Sequence, residues 1–440
     1  MSNLEIALLS FPVLLVLIFA RMPIGLAMLI CGFFGNWLVL GRFTPILAQL
    51  KTLPVTTFSS YSLSIIPLFL LMGQFAAKGG MSQALFRAAN GWLGHRKGGV
   101  AMAAIGACAG FGAICGSSIA TAATMGKVAL PELKRFGYDG GLATGALAAG
   151  GTLGILIPPS VILVIYAILT EQNIAKLFLA AVVPGVLAML GYMLTIAIYV
   201  RVKPDSSGLR DKAPLAERLR LTFEVWPVLL VFFLVVFGIY FGWFTPTEGA
   251  AIGAAGTGLI ALLNGGLKGG ALGESVRETA VATGMIFLII LGAGVYNSFL
   301  ALSQLPQEAA GWVVEQGFSP WMVLTVILLT YLAFGCVMDS LSMILLTVPI
   351  FFPIVSGLDF GLSPDEFAIW FGILILIVVE VGLITPPVGL NLFVINSMAK
   401  DTPMIRTFLG AAPFVASDIV RTVILATFPI ITLFLVRWLY

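Results

Sequence analysis

Two stretches of this chain carry a proline pair in the same apolar setting: LGILIPPSVILVIYA at 153–167 and VGLITPPVGLNLFVI at 381–395. Proline removes an amide donor and blocks the hydrogen bonds of the preceding turn, so each pair breaks a helix and leaves free carbonyl oxygens. A single pair is usually a plain kink. Two pairs at matched positions instead predict two broken helices with equivalent functional roles.

The matched proline pairs belong to a longer internal repeat, with a shift of about 220 residues. GSSIATAATMGKVALPEL at 116–133 aligns with MDSLSMILLTVPIFFPIV at 338–355, and the helices that carry Trp92 and Trp312 align before them. The apolar spans that open the two halves match as well. Matches in the same order along the chain indicate a duplicated architecture.

The composition places the chain in a membrane. Of its 440 residues, 60% are hydrophobic and 10% are charged, which excludes a soluble domain. Apolar runs near the 18 or more residues that cross a bilayer recur along the chain. The first run, at 6–19, lacks the flanks of a cleaved signal peptide. Ordinary spans are predicted at 4–20, 23–40, 58–76, 177–199, 222–243, 247–263, 281–302 and 408–436.

Four other apolar segments are interrupted. Those at 98–132 and 319–356 contain polar residues halfway along, and those at 139–170 and 366–398 contain the proline pairs. Interruptions at membrane depth need a protein-lined cavity, because unpaired backbone groups in lipid are costly. We expect the first two segments to be re-entrant hairpins and the last two to cross the membrane.

Loop charges give the two repeats opposite orientations, because lysine and arginine concentrate on the cytoplasmic side. The residues predicted to be cytoplasmic are Lys78, Arg87, Arg96, Lys97, Lys134, Arg135, Arg201, Lys203, Arg210, Lys212, Arg218, Arg220, Lys400 and Arg406. The residues predicted to be periplasmic are Glu308, Glu315, Asp359, Asp365 and Glu366. The net charge of +3 is small and dispersed, so no nucleic-acid partner is expected.

These observations predict an all-α polytopic membrane protein of inverted repeats, with two re-entrant hairpins and two broken helices. Secondary transporters have this architecture, and their sites lie at the midplane where the breaks meet. An enzyme is not expected, since the chain has one histidine and neither HExxH nor GxSxG. The predicted divisions are N-terminal scaffold helices at 1–57, a first repeat at 58–200, a cytoplasmic loop with connecting helices at 201–280, and a second repeat at 281–440.

The hairpin tips are candidate ligand sites. GFGAICGSS at 110–118 lets the backbone turn and begin a new helix capped by serine, and a helix N terminus attracts anions. At the second tip, Asp339 takes the place of Ser117, and Ser340 that of Ser118. An aspartate at membrane depth usually has a partner, so Asp339 is a cation ligand, a helix cap, or both.

The two breaks supply backbone carbonyl groups suited to Na⁺. These loops comprise Gly150, Gly151, Thr152, Gly154 and Pro158 in the first repeat, and Gly382, Thr385 and Pro386 in the second. Glu380 stands where the first repeat has Thr152, and is either a proton-coupling carboxylate or a buried structural group. Asp418 and Arg421 form a local helical ion pair. The weaker polar candidates are Asn297, Asn391 and Asn396, as ligands or interhelical hydrogen-bonders, and an interfacial His95.

The whole chain resembles the large membrane subunit, of the DctM type, of tripartite ATP-independent periplasmic (TRAP) transporters. The most specific stretches are RMPIG, GSSIATAATMG, GGTLGILIPPS, FGCVMDS and TPPVGLNLFV. The resemblance implies a small four-helix membrane subunit, a periplasmic substrate-binding protein, a multi-pass location in the bacterial inner membrane and two or more coupling Na⁺ ions. It also implies elevator movement, and substrates such as C4-dicarboxylates, keto acids or sialic acid.

The resemblance further implies that Na⁺ binds where each hairpin tip meets a broken-helix loop, and that substrate lies between the tips. Helix N termini and bound Na⁺ would supply positive potential for the anion. The implied Na⁺ residues are Ser117, Thr152, Gly154, Pro158, Gly335, Asp339, Gly382, Thr385 and Pro386. The implied substrate residues are Ser117, Ser118, Thr121, Ser340, Thr385 and Asn391. The alternative is a stand-alone Na⁺- or proton-coupled organic anion carrier of related fold.

Overall fold

The computed structural model describes residues 2–208 and 211–440, and every regular element in those ranges is helical. The α-helices are α1 (Asn3–Phe19), α2 (Ile24–Leu40), α3 (Thr44–Phe58), α4 (Ile65–Lys78), α5 (Met81–Leu93), α6 (Gly99–Cys115), α7 (Ser118–Arg135), α8 (Gly140–Leu156), α9 (Val161–Leu169), α10 (Ile174–Val202), α11 (Leu215–Glu224), α12 (Trp226–Tyr240), α13 (Pro246–Leu263), α14 (Ala271–Leu302), α15 (Leu305–Glu315), α16 (Pro320–Gly335), α17 (Ser340–Ser356), α18 (Pro364–Gly382), α19 (Leu390–Met398), α20 (Met404–Thr427) and α21 (Pro429–Leu439). The predicted all-α fold is confirmed.

The proline pairs break helices as the sequence predicts. The first break separates α8 from α9, which are inclined by 46° to each other, and Ser160 caps the new helix by accepting a hydrogen bond from Leu163 N. The second break, between α18 and α19, is longer and ends at Gly389, whose φ of +65° lies in the left-handed region that glycine tolerates. The two breaks are therefore related in sequence but unequal in length.

Both interrupted segments form helical hairpins. The first turns between α6 and α7 at Gly116, which has a φ of +64°, and Ser117 caps α7 through its side chain. The second turns between α16 and α17, where Asp339 caps α17. Each hairpin helix has 16 to 18 residues. At 1.5 Å per residue, each is about 25 Å long, somewhat short of a bilayer core.

Close glycine contacts join the unbroken helices into a scaffold, which we define as α1, α2, α4, α12, α13 and α14. A Cβ atom on Gly25 or Gly32 would lie within 2.8 Å of the α14 backbone, so α2 and α14 are nearly in backbone contact. Gly253 of α13 packs against the side chain of Met72 in α4, whose Sδ atom would lie 2.4 Å from an added Cβ atom. Small residues permit such close approach of membrane helices.

A second group of helices packs around the breaks. We call α6 to α10 and α16 to α20 the hairpin body. Gly145 of α8 meets the backbone of Gly410 in α20, and Gly372 of α18 packs against the ring of Tyr166 in α9. Tyr166 OH also donates a hydrogen bond of 2.6 Å to Ala368 O. The two repeats are thus interleaved in one body.

Ion pairs between loops agree with the predicted inverted topology. Lys134 Nζ lies 2.5 Å from Asp401 Oδ1, which puts the loops after the first hairpin and after α19 on one side. This hydrogen bond lowers the pKa of the exposed Asp401 carboxyl. Lys78 pairs with Glu274, which joins the end of α4 to the start of α14. Arg210 of the predicted cytoplasmic loop lies outside the described residues.

The C-terminal span is a correction to the prediction. The segment predicted as one span at 408–436 is broken between α20 and α21, because Pro429 cannot continue the preceding hydrogen-bond ladder. Arg437 Nε donates a hydrogen bond of 2.7 Å to Glu366 Oε1, and Lys176 Nζ lies 5.7 Å from the Tyr440 ring centroid. These two contacts attach α21 to the first turns of α18 and α10.

Three smaller boundaries also differ from the prediction. Residues 44–58 form α3, which was not predicted as an element. The predicted hydrophilic loop at 201–220 contains the start of α11, which meets α12 at an angle of 48°. The predicted start of the second repeat, at 281, falls inside α14, which begins at Ala271. The first turns of α14 carry charged residues, which are tolerated outside the apolar core. Among the described residues, four elements are individually long and apolar enough to span a membrane: the helical stretch at 61–78, α10, α14 and α20.

Candidate functional site at the hairpin tips

The first hairpin tip lies directly on the first break. A Cβ atom on Gly154 would lie 2.4 Å from Thr121 Oγ1 and 2.7 Å from Ser117 O, so only glycine permits this approach. A Cβ atom on Gly116 would lie 3.3 Å from Pro159 O. The structure therefore brings together Ser117, Thr121 and the break, all of which the family resemblance implies are site residues.

The second tip meets the second break in the equivalent way. A Cβ atom on Gly382 would lie 2.5 Å from the carbonyl carbon of Gly335, and one on Gly335 would lie 3.0 Å from Val379 O. Gly389 N also donates a hydrogen bond of 3.2 Å to Cys336 O. Gly335 and Gly382, which the resemblance places in one Na⁺ site, thus meet in a backbone-to-backbone contact.

Glu380 joins the two tips to each other. Its side chain is 1% exposed and lies on α18, one turn before the second break. Ser118 Oγ donates a hydrogen bond to Glu380 Oε2, and Ser340 Oγ donates one of 2.8 Å to Glu380 Oε1. These serines are the first residues of α7 and α17, so one internal carboxylate lies between two helix N termini, where negative charge is stabilised.

The hydroxyl groups of Ser118 and Ser340 are therefore engaged by the protein itself. Sequence reasoning assigned both serines to substrate and left Glu380 open between a proton site and a structural group. The missed signal was in the repeat alignment, which pairs Ser118 with Ser340 and places Glu380 opposite Thr152. A residue that differs between the two repeats, as Glu380 differs from Thr152, can make a contact that occurs only once in the molecule. Such a contact is expected where the two repeats meet.

Thr152 belongs to a separate polar chain. Its hydroxyl lies 2.6 Å from Ala149 O and 2.9 Å from Tyr192 OH, and Tyr192 donates a hydrogen bond of 2.7 Å to Asp418 Oδ2. Asp418 Oδ1 is 2.9 Å from Arg421 Nη2, which confirms the predicted ion pair. All four side chains are buried, so this chain ties α8 to α10 and α20.

Two buried side-chain oxygens beside the first break have no hydrogen-bond partner among the described residues: Thr121 Oγ1 and Asn391 Oδ1. The amide nitrogen of Asn391 donates a hydrogen bond of 3.3 Å to Ala148 O, which fixes the side chain against α8. A Cβ atom on Gly151 would lie 3.1 Å from both Asn391 Nδ2 and Ser118 O. Buried oxygens of this kind are unusual unless a ligand or ion satisfies them.

The second tip has a different set of oxygens. Asp339 caps α17, accepting hydrogen bonds of 3.1 Å from Ser342 N and 2.6 Å from Ser342 Oγ. Thr385 Oγ1 donates a hydrogen bond of 2.6 Å to Val381 O. Pro386 is exposed, whereas Pro158 is buried. The cap predicted for Asp339 is confirmed, and its carboxylate is partly accessible at the tip.

Of the remaining asparagine candidates, Asn396 has hydrogen-bond partners within the protein, and Asn297 lies outside the hairpin body. Asn396 Nδ2 donates hydrogen bonds of 2.8 Å to Thr402 O and 2.9 Å to Thr407 Oγ1, which confirms the interhelical alternative. Asn297 lies on α14 of the scaffold. Within the part of the chain that is described, no group of three or more His, Cys, Asp or Glu side chains has the arrangement of a metal site. Hydroxyl, amide and carbonyl oxygens are the ligands that the tips offer, and these suit an alkali cation.

Comparison with known proteins identifies this architecture. Residues 11–431 match the family of the tripartite ATP-independent periplasmic transporter, DctM component. The chain belongs to this family. It is 39% identical to the C4-dicarboxylate TRAP transporter large permease protein DctM of Pseudomonas aeruginosa over 87% of this chain and 88% of that protein.

Other members of the DctM family carry different substrate names. The sialic acid TRAP transporter large permease protein SiaM of Vibrio cholerae is 29% identical, over 95% of this chain and 96% of that protein. The isethionate TRAP transporter permease protein DctMQ of Oleidesulfovibrio alaskensis is 33% identical over 78% of this chain, which spans 53% of that longer protein.

A solved structure shares the fold at low sequence identity. The YdaH transporter of Alcanivorax borkumensis superposes with a TM-score of 0.63, covering 88% of this chain and 89% of that one, at 14% identity. The likeness to this structure shows the shared fold. The family match and the relatives show that the chain is a TRAP transporter large permease and a multi-pass membrane protein.

Proposed function

We propose that this permease imports a small organic anion into a bacterial cell across the inner membrane, driven by Na⁺ and by elevator movement of the hairpin body. Relatives named for C4-dicarboxylates, sialic acid and isethionate support an anionic substrate. The contact of both hairpin tips with Glu380 is the observation that carries the proposal, since it makes the tips and breaks one buried unit.

Two partners are part of the proposal. A periplasmic binding protein delivers the substrate, and a small four-helix membrane subunit completes the permease. The longer isethionate relative, named DctMQ, supports the second partner, because a single chain there contains more than the length of this one. Fusion of two subunits is common where they work together in fixed proportion.

The first cation is held at the first tip and break. Thr121 Oγ1 and Ser117 O lie at the contact with Gly154, and Asn391 lies beside Gly151 one turn earlier. The side-chain oxygens of Thr121 and Asn391 lack protein partners among the described residues. The second cation is held by Asp339 and by backbone carbonyl oxygens between Gly382 and Pro386. Asp339 contributes the negative charge that the first tip lacks.

Substrate lies between the tips, against Ser117, Thr121, Thr385 and Asn391. Glu380 affects how the negative charge of the bound substrate is balanced. Both helix N termini at the tips already stabilise the Glu380 carboxylate, so they have less capacity to attract a second anion. Bound Na⁺ therefore supplies most of the positive potential, which makes anion binding depend on the cation.

An apolar cleft opens along part of the boundary between the scaffold and the hairpin body, and it favours a shift of one against the other. The cleft has a volume of about 230 Å³ and lies between α3 and α14 on one side and α9 and α17 on the other. Its walls are mostly apolar and include Leu63, Ile165, Ile290 and Leu345. Sliding along such a surface breaks few hydrogen bonds, whereas the tips and breaks keep theirs.

The test is uptake into vesicles that contain the permease and its small subunit, with purified binding protein outside. We expect uptake of the cognate anion only with an inward Na⁺ gradient and only with the binding protein present. Uptake that proceeds equally without Na⁺ would contradict the coupling. Uptake without the binding protein would instead support a stand-alone carrier.

Proton coupling through Glu380 is the second candidate, because the carboxyl group is buried between two hydroxyl partners. Glu380→Gln removes the charge and keeps the side-chain shape, whereas Glu380→Ala removes the contact between the tips. If Glu380 is structural, the Gln variant retains Na⁺-driven uptake and the Ala variant loses it. If it carries a proton, the Gln variant loses any stimulation by an inward pH gradient. Glu315→Ala, on the exposed face of α15, is the control.

A further inference from the structure

A buried arginine without an acidic partner lies far from the hairpin tips, on the short helix α11. Arg218 is only 7% exposed, and its Nε and Nη2 atoms have no hydrogen-bond acceptor among the described residues. The neighbouring carboxylates Asp211 and Glu217 are exposed and form no ion pair with it. A buried guanidinium without a counter-charge is costly, so a missing anion is expected.

Contacts with helix α5 hold Arg218 in place. Its Cζ atom lies 5.7 Å from the ring centroid of Trp92, and Trp92 Nε1 donates a hydrogen bond of 2.9 Å to Thr222 Oγ1. Thr222 Oγ1 in turn donates one of 2.9 Å to Arg218 O. Glu224 pairs with Arg87 at 3.5 Å and so does not neutralise Arg218.

Other donors converge on the same place. His95 Nδ1 is buried and has no partner among the described residues. Partial burial lowers the pKa of His95, and the nearby positive charges of Arg218, Lys212 and Arg96 lower it further. Arg218, Lys212 and Arg96 therefore lie close enough to His95 for their charges to act on it.

The surroundings of this region are those of a membrane interface. Trp92, Phe223 and Trp226 are all strongly exposed, at 42%, 73% and 59%. Exposed aromatic side chains concentrate at the level of lipid headgroups. Basic pockets at the cytoplasmic ends of membrane helices bind the headgroups of anionic lipids.

We propose that Arg218, His95, Arg96 and Lys212 bind the phosphate group of an anionic phospholipid of the cytoplasmic leaflet, between α5 and α11. The phosphate accepts hydrogen bonds from the free guanidinium nitrogens, and the acyl chains extend past the exposed aromatic rings. Because α5 links the scaffold helix α4 to the first hairpin, a bound lipid here stabilises the connection between the scaffold and the hairpin body.

The test is a titration of the purified, delipidated transporter assembly with short-chain phosphatidylglycerol, read as the shift of its thermal unfolding midpoint. Phosphatidylcholine of the same chain length and inorganic phosphate are titrated in parallel. We expect stabilisation by phosphatidylglycerol alone. Equal stabilisation by inorganic phosphate at the same concentration would overturn the lipid assignment, because it would indicate a site for a soluble anion.

Single-residue variants test whether the stabilisation by phosphatidylglycerol arises at this site. Arg218→Gln is expected to lose the stabilisation, whereas Arg220→Gln, which alters an exposed arginine on the same helix, retains it. If Arg218→Gln does not fold, the double variant Arg96→Gln with Lys212→Gln decides, because both side chains are exposed. It should weaken apparent binding by about fivefold for each charge removed. Unchanged affinity in that double variant, or in Arg218→Gln, would refute the site.

Discussion

At the scale of single residues, the two hairpin tips use unlike side chains for the same position. Ser117 and Asp339 both cap the helix that leaves the tip, and each accepts a hydrogen bond from a backbone amide three residues on. Only Asp339 adds a full negative charge. The sequence difference between repeats therefore predicts two cation sites of different charge.

Asp339→Asn separates the charge from the cap. Asparagine caps a helix about as well as aspartate, so we expect normal folding and a higher Na⁺ concentration for half-maximal uptake. Asp339→Ala should lose about 1 kcal/mol of helix stability in addition. Na⁺ titration of uptake in vesicles is the measurement.

Ser319→Ala provides the matched control, because Ser319 caps α16 away from the tip through a hydrogen bond of 3.2 Å from Met322 N. It should reduce stability and leave the Na⁺ dependence alone. If Asp339→Asn also leaves the Na⁺ dependence unchanged, the carboxylate is a cap and nothing more.

At the scale of elements, glycine sets how closely a tip approaches its break. Gly154→Ala places a methyl group 2.4 Å from Thr121 Oγ1, and Gly382→Ala places one 2.5 Å from the Gly335 carbonyl carbon. Overpacking of this kind costs about 1–3 kcal/mol, and separating the tip would also widen the cation site.

We therefore expect both alanine variants to lose most uptake and to unfold at lower temperature, as followed by a thermal unfolding assay. Gly284→Ala is the matched control, because a methyl group there has no neighbour within 4 Å. It lies inside α14, where alanine favours the helix. Equal loss in all three variants would mean that helix packing in general, and not the tip contact, is responsible.

At the scale of the whole molecule, the inverted topology predicts opposite labelling of matched loops. Single cysteines in place of Lys97 and Arg135 should react with an impermeant thiol reagent only from the cytoplasm, and cysteines in place of Gln316 and Asp359 only from the periplasm. All four positions are exposed, whereas the native cysteines are buried. Labelling of all four from the same side would exclude the inverted repeat.

Elevator movement predicts which cross-links stop transport. Linking cysteines at 134 and 401 joins two parts of the hairpin body that already form an ion pair, so uptake should continue. A cysteine in place of Gly73, on scaffold helix α4, lies against the backbone of native Cys115 at the first tip, since its Cβ atom would lie 3.2 Å from Cys115 Cα, and oxidation can link the two. That disulfide should abolish uptake reversibly, with recovery after reduction. Normal uptake with the tip bound to α4 would contradict elevator movement.

Much of the architecture was predictable because membrane insertion constrains it strongly. Apolar length, proline pairs and loop charge each follow from the cost of leaving polar groups in lipid. The C-terminal helix shows the limit of that reasoning. Hydropathy continues through Pro429, so apolar length alone did not reveal that the span ends with α20 and that α21 is a separate helix, held by Arg437 and Glu366.

By itself the sequence determined the duplicated, inverted framework and the positions of both tips and both breaks, because these depend on local backbone chemistry: proline, glycine and capping side chains. Only the tertiary structure decided which polar groups meet. Glu380 contacts serines from both hairpins, and Thr152 reaches Asp418 through Tyr192. Hydrogen bonds between residues so distant in sequence depend on how helices pack, and no local pattern encodes that partnership.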